Sequence, residues 1–202
     1  MQTFALFLLS TLSLMAITPE IPSTPSSTQR AVFAGGCFWC IQPFFDQTPG
    51  VTKATVGYTG GARAHPTYDQ VSTGATGHRE GIEVMYDPSK VTYEKLLEVY
   101  WQAIDPLDAG GQFYDRGEQY TTAIYYTSEE QRAAAEKSKA EKAAMLGKPV
   151  ATLILPAKEF YPAEDYHQSY YKKSAERFQA YEKGSGREEK LDKIWGSSRA
   201  QH

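Results

Sequence analysis

Residues 31–45 read AVFAGGCFWCIQPFF, and the elements predicted here provide the frame for the rest of the chain. The short apolar run Ala31–Ala34 is typical of a buried strand, and the glycine pair after it predicts a tight turn. Residues 37–45 are then predicted to be helical, although Pro43 limits how regular that helix can be. The pattern therefore places Cys37 at the start of a helix, directly after a buried strand.

Outward from this turn, apolar spacing and turn residues predict four more strands and three more helices. The strands are expected at Val51–Tyr58, Gly81–Tyr86, Tyr120–Tyr126 and Val150–Leu155. The helices are expected at Thr92–Ile104, 128–145 and Ala163–Tyr181, with Thr92 and Ser128 as N-caps. The glycine-rich segment 105–119 is interpreted as a long functional loop. Strands and helices mix without strict βαβ alternation, which favours an α+β sandwich.

The two ends of the chain differ in composition from its middle. Residues 1–16 are free of charged side chains and shorter than a membrane span, so they predict a signal peptide. Residues 17–29 are rich in Pro, Ser and Thr and predict a linker. Residues 30–183 are expected to form one catalytic domain, and 184–202 a flexible tail. The leader predicts export to the periplasm or medium, with no membrane span in the mature protein; an uncleaved leader would mean a cytoplasmic protein.

The balance of acidic and basic residues indicates what kind of molecule the chain binds. Acidic residues exceed basic ones by 24 to 21, giving a net charge of −3, so the chain lacks the basic character of a nucleic-acid-binding protein. A small-molecule or peptide substrate is the better expectation.

The only two cysteines, Cys37 and Cys40, lie three positions apart. A helix brings such positions onto one face, so the two sulfurs can meet. A disulfide across so short a gap would constrain the unfolded chain little, which favours a redox or nucleophilic role over a structural one. The partial positive charge at a helix start should also favour the thiolate of Cys37.

Six blocks of sequence carry a resemblance to a known family. They are AVFAGGCFWCIQPFF (31–45), PGV (49–51), GYTGG (57–61), GHREGIEVMYDP (77–88), DRGEQYTTAIYY (115–126) and FYPAEDYHQSY (160–170). In content and order they resemble the type A peptide methionine sulfoxide reductases, over roughly residues 31–178. The resemblance implies an α+β two-layer sandwich with a mixed sheet and a ferredoxin-like core. It also implies reduction of the S epimer of methionine sulfoxide, in proteins and possibly as the free amino acid, without a metal or other cofactor.

The same resemblance implies roles for individual residues. Cys37 would be the nucleophile, Glu80 the acid, and Tyr58 and Tyr120 the hydroxyls that hold the sulfoxide oxygen. This set fits the chemistry, because thiolate attack on a sulfoxide needs an acid and donors at the departing oxygen. Glu80 would have to be protonated, which requires a dry site.

Four further residues complete the expected site. Phe38 and Trp39 match the aromatic wall around the substrate S-methyl group, and Asp115 and His167 are given supporting roles. Each assignment has an ordinary structural alternative. Glu80 could be a solvated carboxylate, the two tyrosines and two other aromatics could pack in the core, and His167 could be a hydrogen-bonded core histidine.

The second half of the catalytic cycle is inferred from the cysteine count. Many members of the family resolve the sulfenic acid with a cysteine in the tail, but residues 184–202 contain none. Cys40 is therefore the internal candidate, and we expect a Cys37–Cys40 disulfide that a thioredoxin-like partner reduces. Local unwinding of the helix start could be needed for this bond to form.

Three other classes of protein remain open at this point. A thioredoxin-like disulfide exchanger also places C-x-x-C at a helix start. A zinc site could combine the two cysteines with His78 and His167, although the spacing fits no compact zinc module. A cysteine hydrolase would need a histidine that acts on Cys37, and the sequence singles out none.

Overall fold

The computed structural model describes residues 28–196. The predicted signal peptide and all but the last two residues of the predicted linker lie outside the described residues. Regular structure begins at Gln29, next to the start at Arg30 that the sequence predicts. None of the helices in this described range is long and apolar enough to cross a membrane.

Strands and helices alternate irregularly along the described chain. In chain order the strands are β1 (Gln29–Gly35), β2 (Val51–Thr59), β3 (Arg79–Tyr86), β4 (Gly111–Gln112), β5 (Asp115–Arg116), β6 (Thr122–Tyr126), β7 (Leu153–Pro156) and β8 (Phe160–Pro162). The helices are α1 (Phe38–Asp46), α2 (Tyr68–Ser72), α3 (Tyr93–Gln102), α4 (Glu129–Leu146), α5 (Tyr170–Lys173), α6 (Ala175–Gly184) and α7 (Arg187–Trp195). A 3₁₀ turn at Glu118–Tyr120 precedes β6.

Six of the strands form one mixed sheet in the order β7-β6-β1-β3-β2-β8. Strands β6 and β7 are parallel, and the other neighbouring pairs are antiparallel. The segment β1-α1-β2-β3-α3-β6, with its strands ordered β6-β1-β3-β2, is the ferredoxin-like core. The predicted α+β sandwich with a mixed sheet is thus confirmed.

The central strand β1 alternates between two apolar layers. Ala31 and Phe33 face the main core, which contains buried residues of α1, α3 and α4. Val32 and Ala34 face the opposite side, where Tyr125 and other residues form a smaller cluster. Since successive strand side chains point to opposite faces, the short apolar run of β1 serves both layers.

Aromatic contacts fix the end of β1 against the helices. The ring of Phe33 stacks on Phe45, with centroids 5.2 Å apart, and on Tyr100 at 5.0 Å. The Tyr100 hydroxyl donates a hydrogen bond of 2.8 Å to the carbonyl of Ala34. These contacts hold the turn that carries Cys37 in a defined position on the sheet.

Both predicted N-caps are confirmed. The hydroxyl oxygen of Thr92 accepts from the Lys95 amide at 3.2 Å, and that of Ser128 accepts from the Gln131 amide at 3.3 Å. Such side-chain acceptors satisfy amides that otherwise lack partners in the first helical turn.

The predicted strand boundaries at 120 and 150 are early by a few residues. Tyr120 belongs to the 3₁₀ turn, so β6 begins at Thr122. The hydroxyls of Thr122 and Thr152 bond each other at 2.9 Å just before β7 begins at Leu153. The predicted loop 105–119 contains the small β4–β5 hairpin.

The prediction of one helix over Ala163–Tyr181 is wrong. This segment follows the edge strand β8, which the sequence did not predict, and contains only the short helix α5 and part of α6. Ser169 has a left-handed backbone, with φ of 53°. The Gln168 side chain bonds both the amide and the carbonyl of Val56 on β2, so hydrogen bonds to the sheet replace those of a continuous helix.

The prediction of a flexible tail over 184–202 is also wrong for most of that segment. Residues 187–195 form α7, in which Leu191 is fully buried. The Trp195 indole nitrogen donates to the Ile104 carbonyl at 3.0 Å. Gly186, with φ of 68°, makes the turn between α6 and α7, so the glycines that suggested flexibility form a turn between two docked helices.

Candidate active site

The nucleophile candidate lies at the junction of β1 and α1. Cys37 is the N-cap residue of α1, and Gly36 before it has φ of 78°. A methyl group on Gly36 would lie 2.5 Å from the side chain of Gln112, so only glycine fits this turn. Backbone conformation and packing together determine where the Cys37 sulfur points.

The two cysteines lie together in an apolar, aromatic cluster. Both are buried and belong to one cluster. Phe178 of α6 completes the cluster, with four partly buried aromatic residues around it. The fold therefore brings the two cysteines into one buried cluster, which agrees with their predicted place on one helix face. Cys37 precedes the first helical residue, so a bond between them would not require breaking the centre of a helix.

The expectation of an acidic Cys37 thiol is not met in this structure. Burial, the neighbouring Cys40 thiol and the charge of Asp115 all raise the pKa of Cys37 well above its usual range. The first amide of α1, that of Phe38, donates instead to the Glu80 carboxyl at 3.1 Å. The Phe38 amide was expected to favour the Cys37 thiolate, but its hydrogen bond goes to the Glu80 carboxyl.

Glu80 of β3 lies beside the nucleophile in a dry environment, with only 3% of its surface exposed. Burial raises the pKa of this carboxyl well above its usual range, and a negative charge on Cys37 would raise it further. The hydrogen bond from Phe38 has the opposite but smaller effect. Burial therefore favours the protonated form of Glu80, the form that the resemblance requires.

The two predicted tyrosines differ in how they face the site. Tyr120 lines the cavity beside Cys37, as does Tyr68. The Tyr58 ring is fully buried, and its hydroxyl donates to the Glu164 carboxylate at 2.8 Å. Burial raises the pKa of Tyr120 and Tyr58 and brings that of Tyr68 to about 12, so all three hydroxyls remain protonated donors at neutral pH.

The aromatic wall consists of Phe38 and Trp39 at the start of α1. The Trp39 ring stacks on Tyr170, with centroids 3.9 Å apart, and its indole nitrogen donates to Nδ1 of His167 at 2.9 Å. His167 is fully buried, which lowers its pKa and keeps the ring neutral. Since its Nδ1 accepts this bond, the proton of His167 is on Nε2, and the histidine orients the wall rather than the cysteine.

Asp115 of the β4–β5 hairpin closes another side of the site. It lines the same cavity as Cys37 and accepts a hydrogen bond from the Tyr181 hydroxyl of α6. Burial raises the pKa of Asp115, against the effects of this hydrogen bond and of the Arg187 charge. The hairpin and α6 are thereby joined beside the cavity.

Most of the predicted residues converge on one small cavity of about 70 Å³. Its lining residues are Cys37, Phe38, Trp39, Tyr68, Glu80, Asp115, Tyr120 and Tyr181. Tyr58, Cys40 and His167 lie behind this lining. The volume admits the end of one side chain, far below the 300–1,000 Å³ typical of sites for larger ligands. Larger concavities elsewhere on the described surface, of about 400 to 520 Å³, contain neither cysteine.

Two lining residues, Tyr68 and Tyr181, were not predicted from the sequence. Tyr68 begins the short helix α2, and Tyr181 belongs to the segment assigned to a single long helix. Among 14 tyrosines, neither has a sequence signal that distinguishes it. Only the tertiary fold brings them to the site.

The histidines do not assemble the alternative sites considered for this sequence. Nδ1 of His78 accepts from the Gly61 amide at 3.2 Å, and Nε2 faces the Arg63 carbonyl at 2.8 Å. Within residues 28–196, no group of three or more His, Cys, Asp and Glu side chains is placed to hold a metal ion. His167 bonds Trp39, whereas a cysteine hydrolase would need a histidine on Cys37.

Comparison with known proteins agrees with this geometry. A family model described as peptide methionine sulfoxide reductase matches residues 29–199. Over 170 residues the chain is 54% identical to peptide methionine sulfoxide reductase MsrA of Bacillus licheniformis, covering 83% of this chain and 94% of that protein. Among solved structures, it resembles methionine sulfoxide reductase A of Corynebacterium diphtheriae, with a TM-score of 0.66 and 35% identity over 77% of this chain and 78% of that one. Reduced Mxr1 of Saccharomyces cerevisiae gives a TM-score of 0.71 and 29% identity, covering 79% and 92%.

Proposed function

This chain belongs to the peptide methionine sulfoxide reductase family, and we propose that its reaction, the thiol-dependent reduction of methionine sulfoxide to methionine, begins with attack by Cys37. One observation carries this assignment of residues. A thiol, a protonated carboxyl and a tyrosine hydroxyl line the same small cavity beside an aromatic wall. That set matches what sulfoxide reduction requires.

The proposed first step reduces the sulfoxide and oxidises Cys37. The Cys37 sulfur attacks the sulfoxide sulfur and forms a sulfur–sulfur bond, while Glu80 and Tyr120 hydrogen-bond the oxygen. The oxygen takes up the Cys37 proton and the Glu80 proton and leaves as water. Water then adds to the Cys37 sulfur, the sulfur–sulfur bond breaks to release methionine, Cys37 is left as a sulfenic acid, and a proton returns to Glu80. In total one thiol and one sulfoxide give one sulfenic acid and one thioether, so atoms and electrons balance.

Protonation states follow from burial in this scheme. In the free enzyme the pKa values of Cys37 and Glu80 are both raised, so burial favours the neutral thiol and the neutral carboxyl. A dry cavity strengthens hydrogen bonds from Glu80 and Tyr120 to the polar sulfoxide oxygen. We infer that Cys37 loses its proton only when the sulfoxide is bound, since proton transfer to the oxygen then removes the cost of an unpaired buried charge.

The shape of the cavity predicts selectivity for one epimer of methionine sulfoxide. With the S-methyl group against Phe38 and Trp39 and the oxygen toward Glu80 and Tyr120, only one configuration at sulfur exposes its reactive side to Cys37. The family resemblance implies that this configuration is S, so we expect reduction of the S epimer of a methionine sulfoxide peptide with dithiothreitol, at a rate at least about 100-fold above that of the R epimer.

Separate incubation of the two epimers, with the methionine product quantified by chromatography, tests this assignment. Equal reduction of both epimers would overturn the proposed orientation. No reduction of either epimer by folded, fully reduced protein would overturn the function itself, and disulfide exchange would then be tested by mixed-disulfide reduction.

We propose that Cys40 resolves the sulfenic acid. Its thiol lies beside Cys37, and condensation would give a Cys37–Cys40 disulfide with release of water. A thioredoxin-like dithiol would then reduce that disulfide and become oxidised itself. The yeast protein Mxr1 has also been crystallised in complex with Trx2, which supports a partner of this kind. Phe178 of α6 is buried in the same cluster as the two cysteines that this partner would have to reach.

Cys40→Ser separates the two halves of this cycle. In a single turnover without reductant, the variant should form one methionine per chain at nearly the wild-type rate, because Cys37 is unchanged. Steady-state turnover with thioredoxin should fall at least about tenfold, since no internal thiol can condense with the sulfenic acid, and dithiothreitol should partly restore it. A wild-type rate with thioredoxin would mean that the external thiol attacks the sulfenic acid directly.

A further inference from the structure

The side chain of Arg187 is buried without full hydrogen bonding. Only 1% of its surface is exposed, although it carries a permanent positive charge. Nη1 donates to the Ala103 carbonyl at 2.6 Å. Within residues 28–196, Nε and Nη2 have no hydrogen-bond partner. Burying a cation with unused donors is unfavourable, so such an arrangement calls for a functional reason.

No carboxylate in the described chain lies within ion-pair distance of this guanidinium. The nearby Lys190, one turn along α7, pairs with Asp105 at 2.7 Å. Asp115 accepts its hydrogen bond from Tyr181. Beneath the guanidinium is the ring of Phe113, with its centroid 4.3 Å from Cζ. An aromatic face stabilises a cation partly but does not neutralise it.

The unused side of the guanidinium faces the turn that carries the nucleophile. A methyl group built on Gly36 would lie 3.7 Å from Nη2, and Gly36 directly precedes Cys37. The charge of Arg187 acts on both Cys37 and Asp115. The free donors are therefore beside the turn that carries Cys37, a residue that the proposed cycle converts between neutral and anionic forms.

We propose that Arg187 is a positioning residue that stabilises the anionic sulfur of Cys37, using a buried charge supplied by the C-terminal helix α7. This inference rests on the proposed role of Cys37 as nucleophile. The positive charge would act twice in a cycle. It would favour the thiolate that attacks the sulfoxide, and it would favour the same thiolate as it leaves the disulfide during reduction.

The positive charge of Arg187 differs from the other titratable groups around Cys37. The titratable and charged groups that act on or respond to its sulfur are Cys40, Tyr68, Glu80, Asp115, Tyr120, Tyr181 and Arg187. Arg187 alone in this set is a cation. Burial, Cys40 and Asp115 raise the pKa of the Cys37 thiol, and Arg187 lowers it. Removal of the guanidinium charge should therefore make the thiolate harder to form.

The reactivity of Cys37 toward iodoacetamide as a function of pH tests this without any sulfoxide. In a Cys40→Ser background Cys37 is the only thiol of the chain, so alkylation followed by mass spectrometry reports on it alone. Arg187→Met should slow alkylation at pH 7 about tenfold and move the midpoint of the pH profile upward. Arg187→Lys, which keeps the charge, should restore most of the rate. Arg132→Met, which removes an exposed cation from α4, should change nothing.

The outcomes separate an electrostatic role from a structural one. If Arg187 only anchors α7, a folded Arg187→Met protein will have the wild-type profile, and the proposal is overturned. Should that variant fail to fold, Arg187→Gln retains a donor for the Ala103 carbonyl without the charge and gives the same comparison. Alkylation needs no methionine sulfoxide, so a failure of the proposed function would appear in the epimer assay and not here. With active enzyme, kcat/KM of Arg187→Met should be about tenfold low at pH 7, with a deficit that shrinks as pH rises.

Discussion

Substitution of Cys37 by serine is expected to abolish methionine sulfoxide reduction, with kcat/KM at least about four orders of magnitude below wild type. A serine hydroxyl has a far higher pKa than a thiol and is a poor nucleophile toward sulfur. It also cannot form a sulfenic acid, so the oxidised enzyme of the proposed first step cannot arise. Single-turnover assays with the S epimer, analysed for methionine, measure this directly.

The control for this experiment is Cys40→Ser, which removes a buried thiol from the same cluster but should retain the first turnover. Both variants should unfold at similar denaturant concentrations, because each replaces one buried sulfur by one oxygen. Residual reduction by Cys37→Ser above one per cent of the wild-type rate would contradict the assignment of the nucleophile. It would indicate that an external thiol attacks the bound sulfoxide.

Glu80→Gln should lower the rate of the first turnover about 100- to 10,000-fold. The amide retains the shape of the side chain and can still donate a hydrogen bond, but it cannot transfer a proton to the sulfoxide oxygen. Glu83→Gln is the matched control, because Glu83 lies on the same strand, is half-buried and pairs with Arg30 away from the cavity. That variant should react at the wild-type rate.

The burial of Glu80 and Cys37 determines how the rate of the same reaction changes with pH. The pKa of Glu80 is raised, and its protonated form is the active one, so the rate at saturating sulfoxide should fall as pH rises through the pKa of this carboxyl. Cys37 acts as the anion that forms once the sulfoxide is bound, so the same rate should also fall at low pH, where Cys37 retains its proton. The profile is therefore bell-shaped, and Glu80→Gln should lose its alkaline limb. A wild-type alkaline limb in Glu80→Gln would assign it to another group.

The sequence predicts the core of this fold because its local signals agree with its tertiary contacts. The apolar run of β1, the glycine turn and the caps Thr92 and Ser128 act over a few residues, and the structure retains them. The C-terminal third is different. The Gln168 side chain bonds Val56 of β2, 112 positions away, and the Trp195 indole bonds the Ile104 carbonyl, 91 positions away. Leu191 of α7 is fully buried. No local periodicity reports on contacts of that kind.

The same distinction between local sequence signals and long-range contacts applies to the active site. The identity of Cys37, Glu80 and Tyr120 follows from motifs, and the fold brings all three to one cavity. The ionisation of Cys37 could not be predicted from its place at a helix start, because it depends on burial and on competition with Glu80 for the Phe38 amide. The hydroxyl of Tyr58 likewise donates to Glu164, a residue 106 positions away.

The position of α7 also affects the order in which the protein is made. Residues 29–126 include every strand of the ferredoxin-like core, and they leave the ribosome before residue 187 does. A growing chain therefore contains Cys37 before it contains Phe178 of α6 or Arg187 of α7. In such a chain Cys37 lacks both the burial that raises its pKa and the cation that lowers it. The ionisation of Cys37 in the finished enzyme is thus set only when helices translated after the core have docked.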